Sequence, residues 1–497
     1  MTVTNAPEVS FRNADKFFIG GEWVRPSSPA QFEVIEPATE NALFRIAEAT
    51  ADDVARAVTV ARDAFDRGPW PRLSHGERAA YLRAFATGIR ARQTDLARVQ
   101  TGEMGVVHAV AKMIVPVGAA AFDYYADLAD TFAFVERHHP RDGVGAAYLV
   151  REPVGVVGAI VAWNGPLPQI GYKMAPALLA GCTVVLKASP ESPGEAYVIA
   201  EIAEEIGLPP GVLNVVTADR EVSELLVRDP RVDKITFTGS TAAGRRIASI
   251  CGERIARHTL ELGGKSAAIV LDDYDVELAA AALSRQACAL TGQVCSSLTR
   301  VIVSRARHDQ LVEAIRARFA AMQVGDPFDP TTGMGPLATH RQRDRVEGYI
   351  AKGIAEGATL ATGGHRPGHL DRGFFIEPTL FADVDDASTI AQEEIFGPVT
   401  SVIAADDEAH AIEIANNSAY GLVSAVFTDD VDHAYRVARQ IRAGTVGHNA
   451  PRADFSIAFG GFKQSGVGRE GGVEGLLPYL ETKTVLLAGV PSPLQAL

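Results

Sequence analysis

The 497-residue chain holds only four cysteines: Cys182, Cys251, Cys288 and Cys295. So few thiols make no disulfide framework, and none lies in a CxxC or Cys/His arrangement with metal-ligand spacing. The sequence therefore predicts reduced thiols, no metal site and a cytoplasmic protein. Positive charge is also in short supply: 47 Lys and Arg face 61 Asp and Glu, a net charge of −14. That balance argues against a nucleic-acid partner or an anionic membrane surface. Long apolar runs are missing too. Those at 154–162 and 174–186 are interrupted by Gly, Pro or Cys, well short of the roughly 20 residues that span a bilayer. Residues 1–17 contain no apolar signal core, and residues 1 to about 15 read as a loose tail. No repeat or low-complexity block stands out. The composition that remains is globular, 47% hydrophobic and 22% charged. The chain is too long for one core, so two or three domains are expected.

Local signals organise the first half. Thr50-Ala-Asp-Asp53 is a capping box, after which Val54, Ala57, Val58, Ala61 and Phe65 share one helical face. Ser74-His-Gly-Glu77 is a second, followed by Tyr81, Leu82, Phe85 and Ile89. From 155 onward the pattern alternates strand and helix. Continuous apolar runs at 156–162 and 183–186 read as strands covered on both faces, and 212–216 and 234–238 as further strands. Ser192-Pro193-Gly194-Glu195 reads as a third capping box, opening a helix that stops at Gly207-Leu-Pro-Pro210. Such alternation predicts an α/β fold with a parallel sheet and right-handed crossovers, and ligands at the carboxyl ends of strands.

Several stretches carry chemistry. Thr291-Gly292-Gln293-Val294-Cys295-Ser296-Ser297 holds a cysteine in a small-residue loop after an apolar helical run. A thiolate is a strong nucleophile that forms thioester-type intermediates, although a lone cysteine is also a common buried hydrophobe. Trp163-Asn164 ends a strand, where an amide N–H can serve a developing oxyanion or simply a turn. Thr238-Gly-Ser-Thr-Ala-Ala-Gly244 is a glycine-and-hydroxyl turn that opens a helix and suits a phosphate. Lys187, at its strand's end, is placed for a ribose or phosphate. Glu261, beside Gly263-Gly264, is an acid in an apolar setting, which pushes a carboxyl towards general-base range. Glu394 and Phe396 precede a Gly-Pro turn, and an extended segment would point both to one side. The glycine-dense loop from Phe459 to Arg469 lets backbones pack closely.

Taken together and in this order, these motifs resemble the NAD(P)-dependent aldehyde dehydrogenase superfamily. The resemblance runs almost end to end: Phe18-Ile-Gly-Gly-Glu-Trp23, Trp163-Asn164, Lys187, Phe237-Thr-Gly-Ser240, Glu261-Leu-Gly-Gly-Lys265, Gly292-Gln-Val-Cys295, Glu394-Ile-Phe-Gly-Pro398 and Phe459-Gly-Gly-Phe-Lys-Gln-Ser465.

The resemblance implies two Rossmann-like α/β domains and a small β oligomerisation element. Residues 1–129 and 149–260 would form the NAD(P)-binding domain and 261–465 the catalytic domain. Residues 130–148 and 466–497 would form the bridging element of a homodimer or homotetramer. It implies Cys295 as nucleophile, Asn164 and the Cys295 N–H as oxyanion donors, Glu261 as base for deacylation, and Lys173 in proton relay. It implies a cofactor site of Ile160, Trp163, Lys187, Glu191, Gly239, Ser240, Glu394 and Phe396, with NAD preferred and NADP open. The substrate wall would include Gly165, Tyr172, Phe455 and Phe459.

Some residues depart from the family pattern. Ala162 replaces a usual proline, and Pro190 replaces a frequent ribose-binding glutamate, with Glu191 one further on. Gly165 replaces a frequent large aromatic, and residues 448–455 differ in text and length. These departures imply a wide, partly apolar tunnel for a medium-chain, terpenoid or aromatic aldehyde. Family members that transfer the acyl group to coenzyme A generally lack a carboxylate at Glu261, so hydrolysis to a free acid is expected. The alternatives are a coenzyme A-acylating semialdehyde dehydrogenase and a non-catalytic NAD-binding relative. A thiol hydrolase would need a histidine motif that the chain does not supply.

Overall fold

The computed structural model describes residues 11–494. Its centre is an eight-stranded sheet whose parallel strands include the four read from the sequence. Val156–Ile160 lies in the middle. Thr183–Ala188 and then Leu213–Thr217 extend the sheet on one side, and Lys234–Thr238 and Arg257–Glu261 on the other. Val156–Ile160, Thr183–Ala188 and Leu213–Thr217 are buried along their whole length. Helices cover both faces, which is why hydrophobicity does not alternate along these strands. The order of addition reverses at Val156–Ile160, leaving a crevice at the carboxyl ends of this strand and Lys234–Thr238.

A seven-stranded sheet forms the second layer, again reversing direction of growth at its first strand. Ala267–Val270 is flanked by Arg300–Ser304 and Val399–Ala405 on one side, and by Val423–Phe427 and Thr445–His448 on the other. The loops entering three of these strands carry Gly263-Gly264, Cys295 and Glu394. A third sheet pairs Leu480–Leu487 with Ala146–Pro153, and that strand with Val135–His138. The two-residue strand Gly466–Val467 joins the edge of the first sheet against Leu260 and Glu261.

The first two capping boxes form as read. Thr50 N–H and Oγ each lie 3.0 Å from Asp53 Oδ2 at the start of Ala51–Asp66, and Ser74 caps His75–Ala91. The third does not form. Ser192 Oγ donates to the Trp163 carbonyl at 2.9 Å, and Glu195 accepts from Leu167 N–H at 2.7 Å. Both side chains bond across the fold rather than to their own helix, Gly194–Glu205, whose first N–H donates instead to the Glu103 carboxylate at 2.8 Å. Nor are residues 11–15 loose. Phe11 packs edge-on against Phe44 at 4.8 Å, and Arg12 N–H donates to buried Glu201 at 2.5 Å. Residues 1–10 of that expected tail lie outside the described residues. Among the described residues no helix is long and apolar enough to cross a membrane.

Candidate active site

The cysteine loop is strained and clamped. After the helix Val276–Cys288, residues Leu290, Thr291 and Gly292 take φ of 49°, 55° and 71°. Left-handed backbone is costly for Leu and Thr, so neighbouring groups must hold it. Thr291 Oγ donates to the Gly335 carbonyl at 3.0 Å. The Gln293 side chain donates to the Leu290 carbonyl at 3.0 Å and accepts from Ala338 N–H at 2.9 Å. No side chain fits at Gly292, which lies against the backbone of Gly397 and Pro398, or at Gly264, which faces the Cys295 carbonyl. Cys295 is the one cysteine not fully buried; the other three are core residues. Burial pushes its thiol up to about 12, reinforced by the Glu394 and Glu261 carboxylates and opposed by the N–H groups of Cys295 and Ser296.

Asn164 reaches this loop from the first sheet. Its Nδ2 donates to the Gln293 carbonyl at 3.0 Å, two residues before the cysteine, and its Oδ1 accepts from Gln169 Nε2 at 3.1 Å. The donor end of the amide therefore faces the Cys295 loop.

Glu261 ends the strand Arg257–Glu261 and is 5% exposed, with no hydrogen-bond partner on either carboxylate oxygen among the described residues. Burial raises its pKa well above the ordinary carboxylate value. Glu470 adds to the rise, and Lys173 and Arg469 oppose it. Lys173 is fully buried, 2.6 Å from Thr238 Oγ and 2.5 Å from Glu470 Oε1. Thr238 stands in register with Glu261 on the neighbouring strand, so Lys173 and Glu470 both border the acid. Sequence reasoning named Lys173 but missed Glu470. The pair is 297 residues apart in the chain, and Glu470 sits in no motif of its own.

The expected cofactor residues gather along the carboxyl ends of the first sheet. Ile160 and Lys187 are register partners on adjacent strands. Lys187 is 8% exposed, and burial lowers its ammonium to about 8 against the pull of Glu191 and Asp219. Ser240 caps the helix Thr241–Glu253 by accepting from Ala243 N–H at 3.3 Å. That leaves the first N–H groups of the helix for an anion. A side chain at Gly239 would run into the Phe237 ring, so the backbone stays bare there. Glu394 accepts from Gly264 N–H at 3.0 Å, and burial pushes its carboxyl up to about 7. Phe396 departs from the extended expectation. It takes a left-handed φ of 61°, held by Gln342 donating to its carbonyl at 2.6 Å, and its ring meets Trp163 edge-on at 5.3 Å. Glu191 accepts from Ser189 at 2.5 Å and pairs with Arg341 at 3.0 Å.

The expected substrate residues form an aromatic wall. Tyr172 stacks on Phe455 at 4.1 Å, and Phe455 packs on Phe459 at 4.6 Å. Cys295 and Phe455 both pack on the cluster of Leu422, Val423 and Phe459. At Gly165 an added side chain would meet open space. The geometry thus combines a thiol, an amide donor, an isolated carboxyl, phosphate-suited strand ends and a cluster of stacked aromatic rings.

A model of the aldehyde dehydrogenase family matches residues 23–485. A geranial dehydrogenase of Castellaniella defragrans is 44% identical over 474 residues, 95% of this chain and 98% of its own. An aldehyde dehydrogenase of Mycobacterium tuberculosis complexed with NAD+ is 46% identical, with a TM-score of 0.93 over 95% of this chain and 98% of its own. A mutant aldehyde dehydrogenase C of Pseudomonas syringae, complexed with NAD+ and octanal, is 40% identical, with a TM-score of 0.93 over 97% of this chain and 99% of its own.

Proposed function

The chain belongs to the aldehyde dehydrogenase family, and from that premise we propose that it oxidises an aldehyde to the carboxylic acid with NAD+ and water, using Cys295 as nucleophile and Glu261 as the deacylating base. The observation that carries this reading is the isolated carboxyl of Glu261, buried, protonation-shifted and unpartnered among the described residues, and near enough to Cys295 for its charge to act on the thiol. Such a group has no structural bond to keep and is free to take a proton from water.

Once its thiol proton has been given up to water, the Cys295 thiolate attacks the aldehyde carbon, forming an S–C bond and placing negative charge on the former carbonyl oxygen. The Asn164 side-chain N–H and the Cys295 backbone N–H stabilise that charge. NAD+, held at the carboxyl ends of the first sheet's strands, would supply the hydride acceptor. Ile160, Trp163, Lys187, Glu191, Gly239, Ser240, Glu394 and Phe396 are the residues that would hold it. The free N–H groups before Ala243 and the bare backbone at Gly239 fit its pyrophosphate. Loss of hydride leaves a thioester on Cys295. Glu261 deprotonates a water, which attacks the thioester carbon; the C–S bond breaks and the acid leaves. Lys173 and Glu470, ion-paired to each other beside Glu261, carry the proton away. The carboxyl at Glu261 favours hydrolysis over transfer to coenzyme A.

Support for an apolar, bulky aldehyde comes from the Tyr172, Phe455 and Phe459 wall and the open space at Gly165. Relatives that act on geranial or bind octanal agree with it. Residues 1–10 and 495–497 aside, the cofactor domain is assigned to residues 1–129 and 149–260, the catalytic domain to 261–465, and the bridging element to 130–148 and 466–497. The three-stranded sheet, with Leu486 71% exposed on its outer strand, supports a homodimer or homotetramer, and the reduced thiols support a cytoplasmic location.

The test is a steady-state panel of aldehydes with NAD+ and with NADP+, with and without coenzyme A, alongside Cys295→Ala. The reading expects NADH formation without coenzyme A, fastest with medium-chain, terpenoid or aromatic aldehydes, and none in the variant. Preference for acetaldehyde would remove the substrate assignment, and an absolute need for coenzyme A would remove the hydrolytic one.

A further inference from the structure

An asparagine can stabilise an oxyanion only if its NH2 and not its C=O faces the reacting atom, and at Asn164 a chain of hydrogen bonds decides which end that is. Ala162 N–H donates to Gln169 Oε1 at 2.7 Å. A backbone N–H can only donate, so the oxygen of Gln169 is fixed on that side and its NH2 must point the other way. That NH2 donates to Asn164 Oδ1 at 3.1 Å. The Asn164 NH2 is thereby turned to the Gln293 carbonyl, which can only accept, at 3.0 Å. One of its two hydrogens is used there, and the second remains for a substrate oxygen.

The backbone around Gln169 offers no substitute. The helix Pro166–Ala180 follows Gly165, which has no side chain to cap it. Pro166 and Pro168 have no N–H, the Leu167 N–H is taken by Glu195 at 2.7 Å, and the Gln169 N–H turns back to the Gly165 carbonyl at 3.5 Å. The first turn of this helix therefore gives no spare donor to the reacting oxygen, and the side chain of Asn164 must supply it. Gln293 tethers Asn164 to the strained loop that carries Cys295. Gln169 ties it instead to the strand–helix connection, independently of that loop.

We propose that Gln169 is a positioning residue for the oxyanion site, locking the amide of Asn164 in its donor orientation. The proposal rests on the reading that Asn164 stabilises the oxyanion. Gln169 touches neither thiol nor reacting carbon in this scheme; it acts through Asn164 alone.

A double-mutant cycle tests it on the full-length enzyme, read as the pre-steady-state rate of NADH formation, with NAD+ affinity measured separately by fluorescence titration. Gln169→Met keeps the length of the side chain and removes both hydrogen bonds. Gln169→Glu keeps the acceptor for Ala162 but cannot donate to Asn164 when ionised. Loss of a whole oxyanion donor costs about 10²–10³-fold, so a disoriented one should cost about 10- to 100-fold, with Glu at least as slow as Met and NAD+ affinity unchanged. In the Asn164→Ala background, Gln169→Met should change the rate less than about twofold, because its only route of action is gone. Effects that multiply in the double variant, or a parental rate in both single Gln169 variants, overturn the proposal. A parental rate in Asn164→Ala would instead remove the oxyanion reading itself, a distinguishable failure. If Gln169→Met does not fold, the near-isosteric Gln169→Glu carries the same cycle.

Discussion

Gly460 offers a perturbation whose size can be worked out from distances. It lies at φ 151°, and a β-carbon there would stand 2.7 Å from Glu261 Oε1, 2.8 Å from Arg469 Cδ and 3.0 Å from the Gly468 carbonyl. Ordinary carbon–oxygen contact needs about 3.3 Å or more, so Gly460→Ala must push the Glu261 carboxyl by roughly 0.5–1 Å. A misplacement of about 1 Å in a reacting group costs up to ~10²-fold. Deacylation should therefore slow by about 10- to 100-fold, or ~1.4–2.7 kcal/mol of barrier. The positive φ adds about 1–3 kcal/mol of folding strain, visible as a lower thermal midpoint. Stopped-flow NADH absorbance separates the two steps. A burst near one NADH per subunit should persist while the following steady rate falls. A steady rate within about twofold of the parent, with the thermal midpoint lowered, would show that Glu261 does not control turnover.

Three further outcomes are expected. Phe455→Ala removes the ring between Tyr172 and Phe459; KM for apolar aldehydes should rise about tenfold and that for acetaldehyde hardly move, whereas a uniform rise across the panel would contradict the apolar wall. In the cofactor-free enzyme, a thiol pushed up to about 12 is mostly protonated below that pH. The rate of Cys295 alkylation should therefore climb about tenfold per pH unit from neutral to about pH 9, and a plateau near pH 8 would refute the shift. Arg300 is fully buried, with its guanidinium 2.6 Å from Asp386 Oδ1, which is partly exposed. Asp386→Ala should cost about 3–5 kcal/mol by leaving that charge unpaired, more than Arg300→Met, which leaves a carboxylate near water. Denaturant unfolding giving the reverse order would contradict it.

What the sequence made legible was mostly local. The boxes at Thr50 and Ser74 bond within four residues and form as read, and strands covered on both faces announce themselves as unbroken apolar runs. Ser192 and Glu195 carry the same signature but bond to Trp163 and Leu167. A cap pattern cannot show that a stronger partner waits across the fold. Phe396 was misread because left-handed backbone is rare for a phenylalanine; only the amide of Gln342, from a distant helix, makes it tenable. The chemistry-bearing residues were found through the order of their motifs, not through composition. Glu470 and Gln169 fell outside those motifs. One borders Glu261 while ion-paired to Lys173, 297 residues away. The other matters through the direction of a hydrogen bond, which spacing does not encode. Gln293 was quoted only as a neighbour of Cys295, yet its buried amide clamps the loop to Ala338.

The central claim is that the acyl group passes through Cys295 and is released by Glu261. Mass spectrometry of Glu261→Gln, quenched in acid after one turnover with NAD+ and an apolar aldehyde, addresses both halves at once. A neutral amide in place of an unpartnered carboxyl keeps the fold and removes the base. The account predicts a stoichiometric acyl adduct on the peptide containing Cys295, decaying far more slowly than in the parent enzyme. An adduct on another residue, or rapid release of free acid from the variant, would contradict it.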